Sequence, residues 1–246
     1  MCLLCQGGKD IMKRALLGVV FACTTLGFAS VALAGENANA AISLHITKPT
    51  SKAVQCSSFS YRNDPTGPFD LKGTPCTHGV ANFDVWVVVC NGSDSVGLAG
   101  AEFGIEYDGA TGSGVDITSW RSCADLEFPQ DDWPQSGSGN LVTWADCQLT
   151  DLFQNLPKTA FCVAGVFEVT SYGGDQLSIT PRPVSGRLKV ADCNAVEDDI
   201  TDAVVSRMGI VTFCSNRHGY NYCSKSTLSG GPTTWGNLKN LYGHDQ

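Results

Sequence analysis

The stretch GLAGAEFGIEYDG, residues 97–109, decides the fold. Phe103, Ile105 and Tyr107 alternate with Glu102, Gly104 and Glu106, and a side-chain period of two sends the first set to one face of a sheet and the second to the other. The Asp108-Gly109 pair closes the segment as a turn, so it reads as a half-buried antiparallel strand. Phe103, Ile105 and Tyr107 are expected in a core, with Glu102 and Glu106 facing water or a partner.

Further strand signals lie on both sides. AISLHI at 41–46 alternates, and FDVWVVVC at 83–90 is almost continuously apolar, as a strand covered on both faces would be. VDITSW (115–120), NLVTWADC (140–147), AFCVAGVFEVTSY (160–172), QLSITP (176–181), RLKVADC (187–193) and GIVTFC (209–214) follow, separated by turn residues such as Gly173-Gly174-Asp175 and Val184-Ser185-Gly186. Helical periodicity is nearly absent apart from a short turn at DLFQNL, 151–156. Short strands with regular turn signals predict an all-β, antiparallel, jelly-roll-like (immunoglobulin-like) β-sandwich over residues 35–193. Residues 47–82, rich in Pro, Gly, Ser and Thr and carrying two cysteines, read as a loop stapled by a disulfide. The extension 194–246 ends in TTWGNLKNLYG, 233–243, where Trp235, Leu238, Leu241 and Tyr242 share one side behind a Thr234 cap and predict a short amphipathic helix.

The N-terminus reads differently. KRALLGVVFACTTLGFASVALA, 13–34, has the basic start, apolar run and small-residue end of a secretory signal peptide. Ala32 and Ala34 place cleavage before Gly35, and Met12, just ahead of Lys13 and Arg14, suits an initiator, with residues 1–11 upstream of it. Cys23 as a lipid acceptor fits poorly, because bulky Phe21 takes a position that wants a small residue. A retained transmembrane helix needs about 20 apolar residues, and Thr24, Thr25, Gly27 and Ser30 interrupt this run. No later segment is apolar and long enough to be a membrane span. The net charge of −8 argues against nucleic acid as a partner, since phosphates need Lys and Arg.

Cysteine usage agrees with export. Past the expected cleavage site stand Cys56, Cys76, Cys90, Cys123, Cys147, Cys162, Cys193, Cys214 and Cys223, with no CxxC among them, and His45, His78, His218 and His244 are dispersed. Upstream, Cys2 and Cys5 form a CxxC without the other two ligands that zinc requires. A disulfide set in an oxidising compartment is the better reading. Short loops favour Cys56–Cys76, Cys123–Cys147 and Cys214–Cys223, although order alone does not fix connectivity. Each bridge would contribute about 2–4 kcal/mol. The odd count leaves one thiol free or bonded to another chain.

The succession FDVWVVVCNGSDSVGLAGAEFGIEYDG, VDITSW, GNLVTWADC and TAFCVAGVFEVTSYGGDQLSITPRPVSGRLKVADC resembles the strand plan of cohesin-type modules, in which a strand of the form xGxxFxxxYD precedes a turn and further aromatic strands. The resemblance covers roughly Ala41 to Cys193 and implies a jelly-roll sandwich of the same broad architecture as some carbohydrate-binding modules. The tail TTWGNLKNLYG resembles the ends of exported bacterial proteins of this kind. The cysteines and the loop at 47–82 depart from the family pattern. Fold does not fix function, so dockerin binding is not implied.

Catalytic signals are sparse. QSGSGN, 135–140, lacks the strand-turn-helix setting of a nucleophile elbow and reads as a hairpin loop. Glu102 with Glu106, or Asp131 with Asp132 beside Trp133, are the carboxylate pairs a glycosidase could use, but such residues more often serve solubility. Asp192, Glu197, Asp198, Asp199 and Asp202 could offer oxygen to calcium, yet no D-x-[DN]-x-[DN]-G loop is present and a solvated acidic turn is the simpler reading. Among the tryptophans, Trp120 and Trp144 belong to strands and a core, whereas Trp133 in FPQDDWPQ is expected to be exposed as a stacking surface. Asn91-Gly92-Ser93 matches a glycosylation sequon. These observations point to a secreted, non-catalytic module that binds a protein or carbohydrate partner without a cofactor, in an oligomeric state left open. The alternative is a structural surface or matrix protein assembling through its odd cysteine or terminal helix, with a glycoside hydrolase third.

Overall fold

A run as apolar as Phe83–Cys90 can bury both faces only if something covers each of them. In the computed structural model a second sheet covers one face and loop segments cover the other. The structure describes residues 35–49, 52–59, 72–73, 80–150, 159–201, 208–215 and 219–223. The expected signal peptide, Cys76, Asp202, the turn at 151–156 and the helix at 233–243 lie outside them.

The strands are β1 (Ala41–Thr47), β2 (Lys72–Gly73), β3 (Ala81–Ser93), β4 (Leu98–Glu106), β5 (Val115–Ser122), β6 (Leu126–Glu127), β7 (Gly139–Gln148), β8 (Thr159–Ser171), β9 (Asp175–Thr180), β10 (Lys189–Ala191), β11 (Glu197–Asp199) and β12 (Ile210–Phe213). A four-stranded sheet runs β1-β3-β8-β5, entirely antiparallel. The other sheet runs β11-β10-β4-β9-β12-β2, with β7 beside β4 and β6 beside β7. Along one side β4 pairs with β7; along the other, Gly100–Glu102 meet β10 and Gly104–Glu106 meet β9. The β12–β2 contact is parallel.

Period two fixes what each face carries. Phe83, Val85, Val87 and Val89 of β3 enter the core between the sheets, where Ala101, Phe103 and Ile105 of β4, with Tyr107 just past its end, meet them. Full burial of each such side chain contributes about 1.5–3 kcal/mol. The opposite face of β3 presents Trp86, Val88 and Cys90 to a smaller cluster that includes Val54, Phe161 and Cys223, with Phe59 and Tyr222 packed on it. Segments 52–59 and 219–223 thus roof the first sheet, and Trp86 Nε1 donates to Thr47 Oγ1 at 3.0 Å.

The disulfides overturn all three preferred pairings. Cys56 joins Cys123, Cys90 joins Cys223 and Cys147 joins Cys193, across 67, 133 and 46 residues. Cys214 is also disulfide-bonded. Short loops were the wrong guide, because a sandwich brings strands distant in sequence side by side: Cys56 and Cys223 come from the two roofing segments and bond to strands, or strand ends, beneath them. Among the described residues the free cysteine is Cys162, buried in the core, where burial pushes its thiol well above the ordinary value.

One end of the sandwich gathers the first residues of the described chain. Asn37 is fully buried there: its Nδ2 donates to Gly97 O at 2.8 Å, its Oδ1 accepts Ser93 N–H at 2.7 Å, and its own N–H donates to Asp198 Oδ2 at 2.9 Å. Gly97 has φ +65°, and a Cβ there would stand 2.5 Å from Cys147 Sγ and 2.9 Å from Cys193 Sγ. Only glycine suits both the left-handed backbone and the close approach of the bridge.

Candidate binding surface

The outer face of β4 departs from the expected water-facing row. Glu106 is exposed, but Glu102 is only 6% exposed because two cations cover it: Arg182 Nη1 at 3.4 Å and Lys189 Nζ at 4.0 Å. Lys189 also holds Glu197 at 2.8 Å. Arg182 reaches Glu102 over two glycines. A Cβ on Gly139 would lie 2.6 Å from Arg182 Cγ, and one on Gly104 would lie 2.7 Å from Pro181 O. Arg182 Nη2 then donates to Phe128 O at 2.8 Å, tying the segment after β6 to the sheet. The local trace of this in the sequence is a lone arginine between Pro181 and Pro183.

Beyond that clamp the edge of the sheet is apolar at its centre. Leu126 is 61% exposed and Phe128 54% exposed, and two residues apart along extended chain they share one side. The residue between them, Glu127, turns the other way, where its Oε2 accepts Trp120 Nε1–H at 2.8 Å and Asn140 Nδ2–H at 2.9 Å. Asp125, Glu127, Asp131 and Asp132 are all exposed around this edge. Asp125 Oδ2 accepts Ala145 N–H at 2.7 Å, which fixes the start of the segment.

Trp133 is not the exposed platform expected. It is half-buried and packed on the core, its ring centroid 5.2 Å from Trp120, 5.4 Å from Phe167 and 5.7 Å from Phe103. The loop is held inward by a turn bond from Trp133 N–H to Gln130 O (3.0 Å) and by the Tyr107 hydroxyl, which donates to Pro134 O at 3.3 Å. Trp144 is buried in the core as expected. Four buried polar atoms here have no hydrogen-bond partner: Trp133 Nε1, Asn140 Oδ1, Gln130 Oε1 and Arg182 Nε. Of the 135–140 segment, expected as a hairpin loop, residues 135–138 lie in the loop between β6 and β7 while Gly139 and Asn140 already start β7. Ser136 Oγ accepts Tyr107 N–H at 2.9 Å and donates to Tyr107 O at 2.6 Å.

The acidic stretch past Cys193 is a strand where a solvated turn was expected. Asp192 Oδ1 accepts the N–H groups of Asn194 and Val196 at 2.8 Å each. β11 then pairs with β10, turning Asp198 into the protein and leaving Glu197 and Asp199 exposed. Asp199 bonds to Arg187; burial alone would raise its carboxyl, but hydrogen bonds from Thr201 and Arg187 and the Arg187 charge hold it below the ordinary value. The weak calcium candidates Asp192, Asp198 and Asp199 thus each serve different partners. Asn91 of the sequon is buried in β3, with its Nδ2 donating to Tyr222 O at 3.3 Å.

Two carboxylates were missed in the sequence. Asp84 of β3 stands directly opposite Glu168 of β8 on the roofed face, and burial, then the Glu168 charge, push it up to about 6. Asp175 accepts the N–H groups of Asp108, Val115 and Gln176, joining the turn after β4 to the starts of β5 and β9. Burial raises its carboxyl despite those bonds. Neither has a local signal, since each is defined by strands far off in sequence.

No family model matches the sequence, and no curated protein matches it. Among solved structures, the chain is similar to a cohesin module from the family 33 glycoside hydrolase of Clostridium perfringens ATCC13124, at TM-score 0.39 and 10% identity, over 74% of this chain and 97% of that one. A DUF4466 family protein from Parabacteroides merdae ATCC 43184 aligns at TM-score 0.23 and 11% identity, over 65% of this chain and 42% of the other.

Proposed function

We propose that the chain is a secreted, non-catalytic β-sandwich module that binds a protein partner at the sheet edge formed by β6 and the segment 128–135. The observation that carries this reading is the pair Leu126 and Phe128, both exposed two residues apart, with exposed Asp125, Asp131 and Asp132 close by in the sequence. A large exposed aromatic next to a leucine suits an anchor seated in a partner's pocket. Asp125, Glu127, Asp131 and Asp132 would steer a partner with basic residues around that pocket. Arg182 supports the surface by fixing Phe128 to the strand beneath. The disulfides suit an oxidising compartment, and among the described residues no helix is long and apolar enough to cross a membrane.

A protein is favoured over a glycan because Trp133 lies against three other rings, and the exposed aromatic that remains at this edge, Phe128, stands beside an aliphatic Leu126 that offers a sugar no stacking face. Assembly through Cys162, the free cysteine among the described residues, is disfavoured because it lies in the core. The test places a photo-crosslinking residue at Phe128 or at Val80, an exposed apolar residue outside this surface, in the exported protein. Capture of a defined protein from Phe128 alone is expected, and the purified pair should bind at least tenfold more weakly after Phe128→Asp but not after Val80→Asp. Equal capture from both positions, or unchanged affinity of Phe128→Asp, would refute the reading.

A further inference from the structure

Among the described residues no Lys or Arg pairs with the Asp198 carboxylate. Asp198 is 6% exposed, and its Oδ2 accepts the Asn37 N–H at 2.9 Å. The basic residues nearby are committed elsewhere: Lys189 to Glu197 and Glu102, Arg187 to Asp199. Buried carboxylates are ordinarily paired, because desolvation of a lone charge costs several kcal/mol. The carboxylate instead points at the backbone of Gly35, where a Cβ would lie 2.4 Å from Oδ1 and 2.5 Å from Oδ2. N and Cβ of one residue are about 2.5 Å apart, so the Gly35 nitrogen lies within about 5 Å of the carboxylate.

Gly35 is also the residue at which the signal-peptide pattern places cleavage. We propose that cleavage before Gly35 creates the missing cation, the new α-ammonium pairing with Asp198 and locking the end of the sandwich that Asn37 anchors. The neighbouring groups favour a cation there. Glu36 bonds to the Ser93 and Ser95 hydroxyls, Asp94 is exposed in the same turn, Asp192 accepts two backbone N–H groups, and Glu197 and Asp199 point away on the other face of β11. A side chain at position 35 would displace the carboxylate, whereas glycine leaves it in place where the ammonium approaches. The inference goes beyond partner binding and rests on the export part of the preceding reading only.

The test uses the exported protein in three forms: wild type, Asp198→Asn, and a chain with one serine inserted between Ala34 and Gly35, which moves the ammonium along by one residue. Intact mass gives the start of each. An α-amino group titrates near pH 8 when unpaired and higher when paired, so the pair stabilises below about pH 8 and fades as pH rises through its folded-state value. Between pH 7 and 10 the unfolding constant of wild type is expected to rise about tenfold more than that of either variant. Parallel pH profiles in all three, or a wild-type start other than Gly35, would overturn the proposal. If Asp198→Asn does not fold, the serine insertion gives the same comparison. Capture through Phe128 is scored separately, so loss of one conclusion leaves the other standing.

Discussion

Asp84→Asn is expected to make the protein more stable at neutral pH. Asp84 is 6% exposed, lies across from Glu168 in the β3–β8 register and is roofed by the segment that carries Val54. Val54 N–H donates to Glu168 Oε1 at 3.4 Å, which holds the second carboxylate in place. Burial first, and the Glu168 charge second, raise Asp84 from 3.8 to about 6. That rise corresponds to at most about 3 kcal/mol. The sign follows from proton binding: between pH 4 and 6 the folded state holds a proton that the unfolded chain has released. Stability therefore falls as pH rises through this window, and the whole cost is present above pH 6. Asparagine keeps the shape without the charge. In denaturant titrations with the disulfides intact, Asp84→Asn should exceed wild type by up to about 3 kcal/mol at pH 7.5, with the gap closing by pH 4. A constant gap across that range, or a variant less stable than wild type at pH 7.5, would refute the argument.

Three further outcomes follow from the geometry. Glu102→Ala should cost about 2–3 kcal/mol in denaturant unfolding, because Arg182 and Lys189 lose their shared partner in a mostly buried setting. Gly97→Ala should cost about 2 kcal/mol or more, combining a positive φ with a Cβ driven into the Cys147–Cys193 bridge, and a thermal melt of the oxidised protein measures it. Cys162 should resist a thiol reagent in the native, disulfide-bonded protein and react only in denaturant, as peptide mapping of the labelled sites would show.

The strands were legible because their signals are local. Phe103, Ile105 and Tyr107 alternate within one segment, and Phe83–Cys90 announces two covered faces without reference to anything else in the chain. β11 was not legible: Glu197, Asp198 and Asp199 look like a polar turn, and only pairing with Lys189–Ala191 makes them extended. The same limit governs the surface. Glu102 looks solvent-facing until Arg182, 80 residues later, crosses Gly139 to reach it. Trp133 looks exposed among Asp131, Asp132 and Pro134, yet rings from three distant strands receive it. Leu126 and Phe128 passed unremarked because single exposed apolar residues are ordinary, and adjacency at a sheet edge is what gives them meaning. Disulfide connectivity failed for the same reason as Glu102, since nearness in sequence is a poor proxy for nearness in a sandwich.

The covalent connectivity has a consequence for how the chain withstands a proteolytic cut. The bridge from Cys56 to Cys123 overlaps the one from Cys90 to Cys223, so every peptide bond between residues 56 and 223 lies inside at least one closed ring. A single cut anywhere in that span opens a ring without releasing a piece. A nicked molecule would keep both halves at fixed proximity, run as one species until a reductant is added, and retain a route back to the intact arrangement of its sheets. Loops that seem to offer an attacker easy purchase are in this respect links in a chain whose ends a bridge already fastens.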